Sequence, residues 1–103
     1  AYIKPNDVHS PKASWTLIDV LEDRGEWDTS LAIGRWDHET VLAIRWNGHT
    51  DNVLGSPQSR GLSTWFILPS HLWEQILAAS ENIPPEKVAM ARSLLPKGEG
   101  GDR

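Results

Sequence analysis

The sequence predicts an α+β domain in which a curved four-stranded antiparallel sheet is followed by a helix. Short stretches of β-forming residues alternate between apolar and small or polar positions, and a later stretch repeats apolar residues at helical spacing. Turn-prone sequences such as Asn47-Gly48 separate the stretches. A chain of 103 residues is the size of one domain.

Four stretches are predicted to be strands. They cover residues 15–21, 29–36, 41–46 and 63–68. In the second stretch, Gly34 suggests a bulge or a sharp curve. Residues 49–60 form a long polar connection before the fourth strand, and such connections are typical of working or mobile loops.

The rest of the chain is predicted to be helical or irregular. A helix is expected after Pro69 with Ser70 as its N-cap, and it completes a sheet-plus-helix domain over residues 14–80. A short second helix is predicted within 81–96. The proline-containing polar segment 1–13 is expected to be a flexible arm. The tail, residues 97–103, is expected to be disordered.

Composition argues against several classes of function. The chain has no cysteine, and its four histidines lie on separate segments, so no metal, cofactor or nucleophilic site is predicted and we expect no enzyme. No apolar run is long enough for a membrane span, and a cytoplasmic location is expected. The formal net charge of −4 argues against indiscriminate nucleic-acid binding. Three arginines nevertheless balance three acids in residues 31–65.

Six tryptophans make aromatic contacts the main functional signal. Trp36 lies on the small-residue face of its strand, where it could stack on a ligand or pack over Gly34. Trp46 alternates onto the same face as Leu42 and Ile44 of the third strand. This places it in the core unless the strand end turns it outward. Arg45 lies on the other face of this strand and is expected to be free to contact a partner. Trp15 and Trp27 are assigned to core or edge packing.

Together, three short motifs resemble the transcriptional coactivators of the positive-cofactor-four type and their small bacterial relatives. They are Ile44-Arg45-Trp46 at a strand end, Arg60-Gly61 at the end of the long loop, and Ile67-Leu68-Pro69-Ser70 with Trp73 at the start of the helix. The similarity covers roughly residues 15–80 and depends on the order and spacing of common residues. The chain departs from the family in its acidic charge, its lysine-poor loop and the added Ser63-Thr64-Trp65.

The resemblance implies a homodimer of curved sheets that binds single-stranded DNA or RNA, in transcription or DNA maintenance. The residues it assigns to nucleic-acid binding are Arg35, Trp36, Arg45, Trp46 and Arg60. Those it assigns to the dimer interface are Leu72, Trp73 and Ile76.

The alternative is a protein-interaction module, in which an acidic, tryptophan-rich sheet anchors a partner protein as an accessory or regulatory factor. Tryptophan and arginine are both enriched among the residues that dominate such interfaces.

Overall fold

The computed structural model describes residues 1–96 and confirms the predicted α+β fold. Strands β1 (Trp15–Asp23), β2 (Thr29–Trp36) and β3 (Glu39–Trp46) form an antiparallel meander, and the short strand β6 (Phe66–Ile67) completes the sheet in the order β1-β2-β3-β6. Within residues 1–96, none of the helices combines the length and apolar character that a membrane crossing requires.

The remaining elements follow or interrupt the meander. The loop after β3 contains a small hairpin of β4 (Gln58–Ser59) and β5 (Leu62–Ser63). Helix α1 (Trp73–Ala79) follows β6, and helix α2 (Pro85–Leu94) follows α1. Short 3₁₀ turns form at Pro5–Asp7 and Ser70–Leu72.

Two boundaries differ from the predictions. The single strand expected over 63–68 is split, because the carbonyl of Thr64 accepts a hydrogen bond from Arg45 and the indole of Trp65 is buried in the core. The α-helix begins at Trp73 after a 3₁₀ turn, and the Ser70 side chain makes no capping hydrogen bond.

The irregularity predicted at Gly34 occurs in β1, the strand paired with it. Register shifts occur in β1 between Leu17 and Asp19 and again between Val20 and Glu22. Gly34 pairs regularly with Val41 of β3, but on the β1 side it pairs with Leu17, where the first shift begins. The Trp15 indole lies against Gly34. The glycine therefore lies opposite a bulge in β1 and provides room for a cross-strand ring.

The helices cover one side of the sheet. Ile33 and Leu42, which pair across β2 and β3, are fully buried there, and Leu77 of α1 and Ala91 of α2 pack in the same cluster. Full burial of an aliphatic side chain contributes about 1.5–3 kcal/mol. This layer is the apolar contact that the helical spacing predicts.

The opposite side of the sheet is covered by the N-terminal segment and by Trp65. Val8 is 1% exposed and packs in a cluster with Trp15, Ala32 and Val41. Trp65 Nε1 donates a hydrogen bond of 2.9 Å to the Val8 carbonyl. The beginning of the chain therefore packs against the sheet, in contrast to the flexible arm expected from its prolines, because it supplies an apolar side chain to an otherwise bare face.

Val8→Ala is expected to loosen the N-terminal segment and to lower the free energy of unfolding by about 2 kcal/mol, since it leaves a cavity beside Trp65. Trypsin cleavage after the exposed Lys12 should accelerate in the folded protein. Val53→Ala, in an exposed position, is the control and should change neither quantity. Equal cleavage rates in both variants and the wild type would contradict the packing.

Candidate functional site

The sequence-predicted tryptophans Trp36 and Trp46 lie far apart. Trp36 ends β2, whereas Trp46 pairs with Thr29 at the start of the same strand. Seven residue steps separate the two positions, or roughly 23 Å along a strand. They also face opposite sides of the sheet: Trp36 shares the side of Ala32, and Trp46 that of Leu42. The two rings cannot form one stacking platform on this domain.

Arg45 is buried, which corrects its assignment as an outward-facing binding residue. It is 2% exposed, and its guanidinium donates hydrogen bonds to the carbonyls of Leu54 and Thr64 and, at 3.5 Å, of Pro57. No carboxylate within residues 1–96 forms an ion pair with it. Burial lowers the pKa of Arg45. Arg45 does lie on the face opposite Leu42 and Ile44, as the alternation predicted. The loop after β3 folds over that face and buries it.

The other two predicted arginines are exposed on different elements. Arg35 lies on β2, between its partners Thr16 and Thr40. Arg60 lies in the turn between β4 and β5, where its φ is +54°. The three arginines therefore do not converge on one surface.

Two of the three residues predicted to form a dimer interface take part in the domain's own core. Trp73 and Ile76 pack against the helix-side cluster, and Trp73 Nε1 donates a hydrogen bond of 2.9 Å to the Leu68 carbonyl. Leu72 remains 37% exposed. The homodimer stays a prediction.

Three large exposed aromatic residues lie at the end of the sheet that contains the β1–β2 turn. Trp27, Trp46 and Phe66 are 69%, 58% and 57% exposed, and we call this set the aromatic end. Phe66 pairs with Ile44, two residues before Trp46 on the same face, so the two aromatic side chains are diagonal neighbours. The backbone N–H of Trp27 donates to the carbonyl of Gly48, just beyond Trp46.

The aromatic end is exposed because the sheet extends beyond its helical layer. Trp46 has the parity of Leu42 and Ile44, as predicted, but the helices cover Leu42 completely and Ile44 only in part. Trp27 is exposed rather than packed in a core or against an edge. Its position between Glu26 and Asp28, in a polar turn, was the sequence signal for this exposure.

The Trp27 indole stacks on the imidazole of His49. The ring centroids are 3.6 Å apart and the planes differ by 8°. The backbone N–H of Asp51 donates to His49 Nδ1 at 3.2 Å, which fixes the imidazole. Trp27 is therefore held in one orientation although most of its surface meets solvent.

Both segments that form this stack carry carboxylates. Glu26 and Asp28 adjoin Trp27, and Asp51 follows His49 by two residues. A hydrogen bond from the backbone N–H of Thr29 lowers the pKa of the Asp28 carboxyl, and the nearby charge of Arg24 lowers it further. A hydrogen bond from the amino group of Ala1 lowers the pKa of Glu26. Both groups are therefore charged at neutral pH.

Comparison of the chain with protein-family models, with curated protein sequences and with solved structures finds no match.

Proposed function

We propose that this domain binds a partner protein through the aromatic end. The observation that carries the proposal is the exposure of Trp27, Trp46 and Phe66, each by more than half, at one end of the sheet. Large apolar side chains exposed together are typical of interaction sites. Tryptophan is also enriched among the residues that dominate binding energies at protein interfaces.

The charges at this end favour a protein over single-stranded nucleic acid. Nucleic-acid affinity depends largely on basic side chains that neutralise phosphates. Arg45 is buried, and Arg35 lies toward the other end of β2, so Arg60 is the remaining predicted arginine. At the turn that carries Trp27, Arg24 is paired with the Asp28 carboxylate at 3.2 Å, and the neighbouring Glu26 carboxylate would repel a phosphate.

Single-stranded nucleic acid is the second candidate, and the exposed indoles of Trp27 and Trp46 are the observation that favours it. A stacked base can contribute about 1–3 kcal/mol without sequence preference. On this hypothesis, the stacking pair would be Trp27 and Trp46 in place of Trp36 and Trp46.

Replacing Trp46 and Phe66 together by serine is expected to weaken the binding of peptides selected on the wild-type domain from a displayed random library. Loss of one dominant aromatic contact costs about 2 kcal/mol, or roughly 30-fold in Kd. Because both side chains are more than half exposed, the free energy of unfolding should change little. Trp36→Leu, at the other end and on the opposite face, is the control and should retain the wild-type Kd.

Three results would overturn the proposal. Selected peptides could bind the double variant as tightly as the wild type. Oligo-dT could bind at low salt and lose affinity in the same variant, which would support the second candidate. Sedimentation could show a dimer that the double variant dissociates, and the occupant of the aromatic end would then be a second copy of the chain.

A further inference from the structure

The Trp27 indole offers one free ring face to a partner. His49 covers the other face at a centroid distance of 3.6 Å, yet Trp27 remains 69% exposed. The face of an indole ring carries partial negative charge and attracts cations more strongly than the face of Tyr or Phe does. Because His49 already restrains the ring, little conformational freedom is lost when a ligand stacks on it.

Both segments that form the stack of Trp27 on His49 carry carboxylates. Glu26 Oε2 accepts a hydrogen bond of 3.4 Å from the hydroxyl of Thr50, which joins the β1–β2 turn to the loop that carries His49 and Asp51. The Glu26 side chain is 36% exposed, so a cation from a partner could pair with its carboxylate.

We infer that the partner segment is basic, with a Lys or Arg side chain stacked on the free face of Trp27 and paired with Glu26 or Asp51. This inference rests on the proposed function and specifies its partner. Trp46 and Phe66 supply the apolar contact, while Trp27 and its carboxylates select positive charge. The acidic balance of the chain, a formal net charge of −4, attracts such a segment over distance.

The test compares two labelled peptides by fluorescence anisotropy. One alternates Arg and Leu with Gly, and its twin carries neutral citrulline at each Arg position. The arginine peptide is expected to bind roughly tenfold or more tightly than its twin, and less tightly as salt increases. Trp27→Leu and the double variant Glu26→Gln/Asp51→Asn should each reduce this difference. Trp36→Leu is the matched control and should preserve it.

The outcomes separate this inference from the proposed function. Equal binding of the two peptides, no binding of the arginine peptide, or an unchanged preference in Trp27→Leu would overturn the basic partner. If library-selected peptides still depend on Trp46 and Phe66 in that case, the protein-binding function stands without it. Trp27→Phe, which keeps a weaker aromatic face, should retain part of the preference and guards against a folding defect in the leucine variant.

Discussion

Arg45→Met is expected to lower the free energy of unfolding by about 2–3 kcal/mol, because a buried hydrogen-bonding group left without a partner costs about 1–3 kcal/mol. The substitution removes the guanidinium that joins three carbonyls. Those of Leu54 and Pro57 keep a second donor, the Ser63 hydroxyl and the Thr64 N–H, whereas the Thr64 carbonyl loses the hydrogen bond from Arg45. Methionine keeps much of the side-chain volume, so the loss measures hydrogen bonding more than packing. Urea unfolding gives the change directly.

Arg35→Met is the control, since Arg35 is exposed on the same sheet and its replacement should alter stability by no more than about 0.5 kcal/mol. The amide hydrogens of Ser56 and Thr64, which bond to Trp46 and Pro57, should also exchange faster in the Arg45 variant, because the loop is then held less firmly. A loss below about 1 kcal/mol would mean that the loop folds without Arg45.

Gly34→Ala is the second substitution with a large expected effect, and it should destabilise the domain by about 3 kcal/mol. The added methyl would overlap the Trp15 ring at Cη2 and lie 2.6 Å from the Thr16 carbonyl oxygen. The ring is buried and cannot move without disturbing Val8 and Trp65. Thermal or urea unfolding measures the loss.

A double-mutant cycle with Trp15→Leu tests the cause. The smaller leucine side chain should leave room for part of the added methyl group. The double variant should therefore lose about 1 kcal/mol less stability than the sum of the two single losses. Gly61→Ala serves as the control. Its methyl meets no atom within 4 Å, and its cost should be limited to the roughly 1 kcal/mol of a left-handed backbone. Strict additivity at positions 15 and 34 would contradict the overlap.

The local pattern was sufficient to predict the meander. Alternation set the bounds of β2 as the structure has them, and β3 differs only by Glu39 and Thr40 at its start. Alternation also assigned Arg45 and Trp46 to opposite faces correctly. It could not show what covers each face, because covering depends on contacts between distant residues, such as Trp65 with Val8. For this reason Arg45 is buried and Trp46 exposed, the reverse of the expectation.

The candidate site was less predictable than the fold. Trp46 was named from its place in the strand, but Phe66 is exposed because α1 and α2 cover only part of the sheet. No short-range sequence pattern predicts how much of a sheet the helices will cover. The stack of Trp27 on His49 likewise joins a turn to a loop across the end of the sheet.

The segments that cover the two faces of the sheet lie before and after the meander in the sequence. This sets the order in which the two faces are covered during synthesis. The N-terminal segment with Val8 precedes the meander, but α1 and α2 follow it and leave the ribosome later. Until they emerge, one side of the nascent sheet displays Leu31, Ile33 and Leu42 to solvent. A chain at that stage is open to chaperone binding and to association with other nascent chains. The completed helices bury these three side chains and leave Trp46 and Phe66 exposed at the aromatic end.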